Sequence, residues 1–194
     1  MGKDRSELSD RESAEKIGFV MQSPDSQTVC DKVSAELAFG LESFGVKSGE
    51  IQSRVGEMAA FFGIEPLYDR DISTLSGGQK QLVALCSVMA TDPDILLLDE
   101  PTAQLDPVAA RELLGILDRL NKEMGVTIII AEHDPEELFD SCDKILYLAK
   151  GKTEFFGTPA LTAKYFMENA LEGFLPETAK AFARLCDDLP LNVR

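Results

Sequence analysis

The stretch Ile95-Leu96-Leu97-Leu98-Asp99-Glu100-Pro101 decides the fold class of this 194-residue chain. Four consecutive apolar residues are enough for a short strand, and an uninterrupted apolar run is typical of a parallel strand covered on both faces. In open parallel sheets, ligands bind beyond the carboxyl ends of the strands. Asp99 and Glu100 are therefore candidate functional residues, although acidic residues at a strand exit are also common in solvated turns.

The chain around this stretch alternates between strand and helix patterns. Short apolar runs predict buried strands over residues 17–21, 126–131 and 144–149. After the acidic pair, Asp106-Pro107 places a helix N-cap before a proline at the first helical position, and the helix is expected to end near Gly125. The alternation predicts an α/β fold with a parallel sheet flanked by helices.

Helical spacing dominates the part of the chain between the first two strands. Apolar residues recur at helical intervals over residues 31–62, with a glycine-containing turn at 45–49, which predicts a small helical lobe. Four further elements are predicted toward the other end of the chain: a short helix from Asp134-Pro135, a hairpin over residues 151–157, a helix capped by Thr158-Pro159, and a last helix over residues 176–185.

A second informative stretch is Leu75-Ser76-Gly77-Gly78-Gln79, which precedes a helix-compatible run over residues 81–90. Two glycines and a serine at a helix N-terminus present backbone N–H groups that attract an anion such as a terminal phosphate. A structural turn could use the same residues. His133, the only histidine, follows a predicted strand, where a lone histidine is more often a structural residue than a functional one.

Composition limits the class of partner and the cellular compartment. The formal net charge of −15 makes nucleic acid a poor partner, because a phosphate backbone would be repelled. The longest apolar runs are far shorter than the roughly 18 residues of a membrane span. Four cysteines lie far apart without a C-x-x-C pair, which favours free thiols in the reducing cytosol: Cys30, Cys86, Cys142 and Cys186.

Taken together, these stretches resemble a known family in order and spacing. The resemblance is to the ATP-binding subunits of ABC transporters, and it spans most of the chain. The matching motifs are the Q-loop, signature, Walker B, D-loop and H-loop, which correspond in turn to Gln22, residues 75–79, residues 95–101, Leu105-Asp106 and His133.

The resemblance implies a P-loop NTPase-like fold with an inserted α-helical subdomain. On this interpretation the α/β core comprises residues 1–22 and 92–157, and the helical subdomain with the signature motif comprises residues 23–91. Residues 158–194 would form C-terminal helices.

The resemblance also implies ATP and Mg²⁺ as ligands, with four residues around the terminal phosphate. Gln22 and Asp99 would hold the metal, Glu100 would be the general base, and Gln22 would also contact the attacking water. His133 would contact the γ-phosphate.

Other residues of the family pattern act between two subunits. Ser76, Gly77, Gly78 and Gln79 would close on ATP held by the opposite ATPase subunit or half, and Asp106 would couple the two sites. A transmembrane transporter subunit is the implied second partner, which would hold the chain at the cytoplasmic face of the membrane.

Within the family, residues 22–27 and 175–179 resemble the energy-coupling factor branch, which drives uptake of vitamins or of cobalt and nickel ions. Residues 189–194 are similar to the stretch that follows the first ATPase half in tandem members. These similarities imply an uptake transporter, with the chain as a subunit or as one half of a tandem ATPase.

One family motif is not found in the sequence. No G-x-x-x-x-G-K-[ST] loop occurs, since Gly151-Lys152-Thr153 has Leu146 at the position of the leading glycine. We therefore expect a truncated ABC ATPase domain that lacks its N-terminal P-loop portion and does not bind ATP alone. The alternative is a catalytically incompetent accessory chain that supplies the signature motif in trans to a complete ATPase partner.

Overall fold

The computed structural model describes residues 7–133, 138–139 and 141–180. The chain divides into two compact units, residues 1–132 and 133–194, called here the first and second units. No helix in the described ranges is long and apolar enough to cross a bilayer.

The first unit contains a three-stranded parallel sheet. Its strands are β1 (Ile17–Val20), β2 (Ile95–Asp99) and β3 (Thr127–Ala131), with β2 in the centre. Val20 pairs with Leu98 across β1 and β2, and Asp99 pairs with Ala131 across β2 and β3. All three carboxyl ends therefore meet at one edge of the sheet, which confirms the predicted α/β fold.

Six helices accompany this sheet in the described part of the first unit: α1 (Asp10–Lys16), α2 (Pro24–Gln27), α3 (Val33–Ser43), α4 (Ser48–Phe62), α5 (Gly77–Met89) and α6 (Pro107–Met124). Short 3₁₀ turns occur at Glu65–Leu67 and Ile72–Thr74. The predicted helical lobe is present as α3 and α4, with Gly45 in the left-handed region between them. As predicted, α6 begins after the Asp106 cap and ends at Gly125.

Close packing joins β1 to α5. A side chain at Gly18 of β1 would collide with Val88 of α5, and its Cβ would lie 3.2 Å from Pro93 Cγ and 3.3 Å from Leu96 Cδ1. Val88 therefore lies directly over the strand backbone, which only glycine permits at this position. Buried residues of the sheet and the helices form one continuous apolar core, which includes Val20, Leu37, Val83, Leu96 and Leu113.

In its described residues, the second unit contains an antiparallel hairpin and a ten-residue helix. The hairpin strands are β4 (Ile145–Ala149) and β5 (Lys152–Gly157), and the helix is α7 (Pro159–Glu168), which begins at the predicted Thr158 cap. A 3₁₀ turn follows at Glu172–Phe174. The small core of the second unit includes Phe139 and Phe166. Tyr147, which is partly buried, and Phe174, which is exposed, each make an edge contact with the Phe166 ring.

Three strand predictions need correction. Residues 17–21 were expected to form a buried strand, but Phe19 of β1 is 47% exposed. Residues 144–149 were expected to form a buried strand, but β4 pairs antiparallel with β5 and leaves Leu146 and Leu148 exposed. β3 was also expected to be buried, yet Ile129 is 55% exposed. Phe19 and Ile129 are both in register with Leu97, so they lie on one face of the parallel sheet, which the described residues leave open. β4 lies in a two-stranded hairpin instead.

Several other predictions fall on residues outside the described ranges. These are the helix from Asp134-Pro135, the stretch 189–194 and the end of the last helix, of which residues 177–180 are helical. Of the four cysteines, Cys30 and Cys86 are free thiols in the described structure, and Cys186 lies outside the described ranges.

Candidate functional site

Gln22 and Glu100 meet at the carboxyl edge of the parallel sheet. Each residue follows the end of its strand, and β1 and β2 are neighbours, so both side chains start from the same edge. The Gln22 Nε2 donates a hydrogen bond of 2.6 Å to Glu100 Oε2, across 78 positions of sequence. The structure thus brings together the amide and one of the two acids that the sequence predicted at strand ends.

The backbone holds Glu100 in an uncommon conformation. Its φ is +44°, in the left-handed region that a residue with a Cβ adopts only at a cost of roughly 1–2 kcal/mol. The Glu100 N–H donates to the Ala131 carbonyl at 2.9 Å, and its own carbonyl accepts from the Ala103 N–H at 3.2 Å. Bonds on both sides therefore fix the turn that directs the carboxylate toward Gln22.

Asp99 occupies the last position of β2 and is exposed. Its backbone pairs with Ala131, whereas its carboxylate is not used in the hydrogen bonds between the strands. With the Gln22 Nε2 directed to Glu100, the Gln22 Oε1 and the Asp99 carboxylate are two oxygen donors at one edge. Mg²⁺ prefers one or two carboxylate ligands completed by water and phosphate oxygens, so this donor set fits the ion.

The helix N-terminus predicted from Leu75-Ser76-Gly77-Gly78-Gln79 is present as the start of α5. Ser76 is the N-cap: its Oγ accepts from the Gln79 N–H at 3.3 Å, while the Ser76 N–H donates to Gln79 Oε1 at 3.0 Å. This reciprocal capping box occupies both polar side chains locally. The N–H groups of Gly77 and Gly78, in the first helical turn, are the donors that remain for a ligand.

The start of α5 packs against the start of α6. A Cβ on Gly78 would lie 3.2 Å from Ala109 Cβ, and a Cβ on Gly77 would lie 3.8 Å from the Gln104 carbonyl oxygen. Glycine at position 78 therefore allows the first turn of α6 to approach the first turn of α5, whereas a side chain at position 77 would make only an ordinary van der Waals contact.

Asp106 caps α6 from an exposed position. Its carboxylate accepts from the N–H groups of Val108 at 2.9 Å and Ala109 at 3.1 Å. The Ala109 bond, followed by the Val108 bond, lowers the pKa of Asp106 below its usual range, because both bonds favour the charged form. This residue has a structural role in the single chain, whatever its role between subunits.

Two further polar contacts near these motifs had no counterpart among the predictions. Thr102 donates to Glu132 at 2.6 Å, which joins the loop after β2 to the residue after β3. Lys80 of α5 pairs with Asp25 at 2.6 Å, which joins the helix with the predicted signature to the segment after Gln22. A polar residue directly after a strand was the available signal for Glu132, as it was for Glu100.

Comparison with known proteins decides the family. The family model described as ABC transporter matches residues 2–103, which is more than half of the chain. The chain belongs to the ABC transporter family. Its fold is the P-loop NTPase fold of ABC ATPases, with a parallel sheet and flanking helices.

Curated ABC transporter relatives match nearly the whole chain but are much longer. A proposed ABC transporter ATP-binding protein of Bacillus thuringiensis subsp. konkukian (strain 97-27) is 42% identical over 184 residues, 94% of this chain and 33% of the relative. An energy-coupling factor transporter ATP-binding protein, EcfA1 of Symbiobacterium thermophilum, is 38% identical over 88% of this chain and 60% of its own length. The chain spans about a third of the length of the first of these relatives.

One solved ABC transporter structure supports the same fold. It is cbiO1 from Clostridium perfringens, described as part of the ABC transporter complex cbiONQ. That structure is 35% identical, with a TM-score of 0.73 over 87% of this chain and 67% of the solved one. Both the sequence and the backbone therefore agree with ABC ATPases.

The ABC motifs have different outcomes in this structure. Gln22, the predicted Q-loop residue, contacts Glu100, which belongs to the predicted Walker B motif, and Ser76 and Asp106 are helix caps. His133 is exposed and is the first residue of the second unit. Its contact with a γ-phosphate stays a prediction, as do the catalytic roles of the other site residues.

Proposed function

We propose that this chain forms part of an ATP-hydrolysing subunit of an ABC-type transporter, which couples hydrolysis to substrate uptake. The observation that carries the proposal is the hydrogen bond between Gln22 and Glu100 at the carboxyl edge of the sheet, beside the exposed Asp99. In doubly wound sheets this edge is where ligands bind. An amide and two acids at such an edge are suited to holding a metal-bound polyphosphate and a water molecule.

Glu100 is the proposed general base. A carboxylate acts as a general base when the attacking water lies within hydrogen-bond reach. The Gln22 Nε2 donates to Glu100 Oε2, and this bond helps to fix the orientation of the carboxylate. His133 is the proposed contact to the γ-phosphate.

Asp99 and the Gln22 Oε1 are the proposed protein ligands of Mg²⁺. When bound, the ion would neutralise charge on the β- and γ-phosphate oxygens. Asp99 suits this role because its short side chain is anchored at the end of a central strand, between β1 and β3.

The signature residues Ser76 to Gln79 are proposed to contact ATP bound by a second ABC ATPase subunit or half. The capping box holds the first turn of α5 in shape, and the N–H groups of Gly77 and Gly78 are the donors offered to the nucleotide. Asp106 couples the two sites because it caps α6, whose Ala109 lies against Gly78. In this assembly each ATP is held between two chains.

The proposed transporter is of the energy-coupling factor type. The EcfA1 relative and the cbiO1 structure support this assignment, and so does the stretch over residues 22–27. A transmembrane subunit would then hold this chain at the inner face of the membrane.

An acidic cleft in the first unit is the proposed docking surface for the transmembrane subunit. The cleft has a volume of about 510 Å³ and lies between the segment after Gln22 and the segment before the signature. Asp25 is paired with Lys80 inside the cleft, so Asp31 and Asp71 are the two aspartates that favour a basic residue of the partner. Asp31→Lys is expected to weaken association with the membrane subunit, and Asp143→Lys, a change in the second unit, to leave it unchanged. The lining residues are Asp25, Thr28, Cys30, Asp31, Asp71, Ile72, Ser73 and Lys80.

The test of the catalytic proposal is the substitution Glu100→Gln in an ATPase assembly that supplies a phosphate-binding loop, in the same polypeptide or from a second subunit. We expect turnover to fall by about 10²–10⁴-fold, the usual contribution of a positioned general base. Glu112→Gln is the matched control, because Glu112 is exposed on α6. Unchanged hydrolysis in Glu100→Gln would assign the base to another residue.

ATP binding by the 194-residue chain alone is a separate question. Each charged contact to a phosphate contributes about 1.5–3 kcal/mol, so four contacts from a phosphate-binding loop amount to more than about 10⁴-fold in affinity. The sequence contains no such loop, and we expect no measurable binding. Calorimetry with Mg-ATP tests this, and a micromolar dissociation constant would refute it.

A further inference from the structure

The strand β1 is an edge of the parallel sheet, and one glutamine covers part of that edge. β1 pairs with β2 on one side, and no described strand pairs with it on the other. Gln27, the last residue of α2, makes both bonds there. Its Nε2 donates to the Phe19 carbonyl at 3.1 Å, and its Oε1 accepts from the Met21 N–H at 2.8 Å.

This pair of bonds has the pattern of a parallel strand. In a parallel ladder, one residue of the neighbouring strand donates to residue i−1 and accepts from residue i+1 of the strand beside it. Gln27 does this around Val20, which pairs with Leu98 of β2 on the opposite side. The side-chain amide of Gln27 therefore bonds to β1 as one residue of a neighbouring strand would, and satisfies two backbone groups that an edge strand leaves open.

The bond between Gln27 and Met21 joins the two ends of the segment 21–27, which contains Gln22. On one side, Gln27 binds Met21, the residue immediately before Gln22. Within the segment, the Thr28 N–H donates to the Pro24 carbonyl at 3.0 Å, so the chain turns back toward the strand as a single helical turn. Gln22 then reaches Glu100 from a backbone that is anchored one residue earlier.

We propose that Gln27 is a positioning residue: its side-chain amide anchors β1 at Phe19 and Met21, and this anchoring places Gln22 against Glu100. The inference rests on the proposed function only for the role of the Gln22–Glu100 contact in ATP hydrolysis. The positioning itself is a property of the nucleotide-free chain.

The test is NMR on the nucleotide-free 194-residue chain, with Gln27→Met. Methionine keeps the length of the side chain and removes both the donor and the acceptor. We expect exchange of the Met21 amide proton to accelerate by about tenfold, the fold-change that corresponds to the loss of one hydrogen bond. We also expect the side-chain amide resonances of Gln22 to move in the direction seen in Glu100→Ala, the reference for a lost contact.

Two variants control the experiment. Gln52→Met makes the same chemical change at an exposed position of α4, and should leave Met21 and Gln22 unchanged. Gln27→Asn keeps the amide but is one methylene too short to reach both backbone groups. It gives the same two readouts if Gln27→Met does not fold, and the unfolding midpoint of each variant shows whether the sheet itself is intact.

Two results would overturn the proposal. If Met21 exchange is unchanged in Gln27→Met, the amide does not act as a strand neighbour. If Met21 exchange accelerates while the Gln22 resonances stay in place, the anchoring exists but does not position Gln22. Neither readout involves ATP, so a failure of the proposed hydrolysis would leave both results interpretable.

Discussion

The carboxyl edge of the sheet and the start of α5 both contain polar residues that were predicted from the sequence. Their side chains bond to different kinds of partner in the two regions. At the sheet edge, the side chains of Gln22 and Glu100 bind each other across 78 positions of sequence, and Asp99 stays exposed. At the start of α5, the side chains of Ser76 and Gln79 bind the backbone three residues away.

The difference separates side-chain chemistry from backbone chemistry. The sheet edge offers a carboxylate, an amide and a second carboxylate, which are groups that hold a metal or move a proton. The helix start uses its side chains to preserve its own shape and offers backbone N–H groups to an anion. Removing side-chain atoms should therefore reduce ATP turnover more at the sheet edge than at the start of α5. At the start of α5, a large reduction should require a bulky side chain that blocks the backbone N–H groups.

The largest effect that would distinguish the two regions is expected from Ser76→Arg compared with Ser76→Ala. Arginine removes the cap and fills the space in front of the Gly77 and Gly78 N–H groups. We expect turnover of an assembled ATPase to fall by about 10²–10³-fold, as for the loss of preorganised donors. Alanine removes only the capping oxygen, so turnover should fall less than about tenfold, with a stability loss of roughly 1 kcal/mol.

Steady-state hydrolysis and thermal unfolding of the two variants measure these effects. The comparison fails if Ser76→Ala is as inactive as Ser76→Arg, since the serine hydroxyl itself would then be the ligand-binding group. Ser53→Ala, on α4, is the matched control for loss of a serine hydroxyl, because Ser53 bonds only to Glu57.

The sequence predicted the sheet edge better than it predicted the contacts made there. The apolar run of β2 and the residues that follow β1 and β2 were sufficient to place Gln22, Asp99 and Glu100 at one edge, because carboxyl ends of parallel strands coincide. The helix caps Ser76 and Asp106 were also predictable, because capping is local and depends on residues within one turn.

What the sequence did not predict depends on long-range pairing. The apolar run of β4 has the same composition as that of a strand in the parallel sheet, so periodicity alone could not assign it to the hairpin with β5. In the same way, nothing in the sequence near Gln27 indicates that its side chain bonds to β1, since this contact requires the edge position of the strand.

The packing of β1 against α5 joins the two regions, and Gly18→Ala tests it. The added Cβ would collide with Val88, a β-branched residue with few alternative rotamers, and would approach Pro93 closely. We expect the free energy of unfolding to fall by about 1–3 kcal/mol, as for overpacking of a core. Urea unfolding measures the change.

Two variants sharpen this test. Adding Val88→Ala to Gly18→Ala should recover part of the loss, since the colliding methyl group is removed. Gly56→Ala, on α4 where a Cβ would meet nothing within 4 Å, should be neutral or stabilising by up to about 1 kcal/mol. A Gly18→Ala protein as stable as the parent would mean that α5 shifts easily on the sheet.

The Gln22–Glu100 contact should show a smaller energy, which a double-mutant cycle isolates. Gln22 is exposed and Glu100 half-buried, so the contact is partly screened by water. We expect a coupling energy of about 0.5–1.5 kcal/mol between Gln22→Ala and Glu100→Ala, from urea unfolding of the four proteins. A coupling near zero would mean that the contact contributes nothing to the stability of the nucleotide-free chain.

The smallest effect concerns Asp106 and is visible in its pH dependence. The folded state lowers the pKa of Asp106, because its carboxylate accepts from Ala109 and Val108. A group with a lowered folded pKa stabilises the fold fully above its unfolded pKa, which is about 3.9 for aspartate, and this contribution disappears as the pH falls through the lower folded value. The stabilisation is therefore present at neutral pH and is lost in acid.

Asp106→Asn keeps a capping oxygen but has no charge to titrate, so it separates the cap from its ionisation. We expect the difference in melting temperature between the parent and Asp106→Asn to narrow as the pH is lowered below about 4, while Asp106→Ala stays the least stable of the three at neutral pH. Because Ala109 lies against Gly78, a loose α6 start would also loosen the start of α5. If the difference in melting temperature between the parent and Asp106→Asn does not change with pH, the charge of Asp106 contributes nothing, and its capping hydrogen bonds alone stabilise α6.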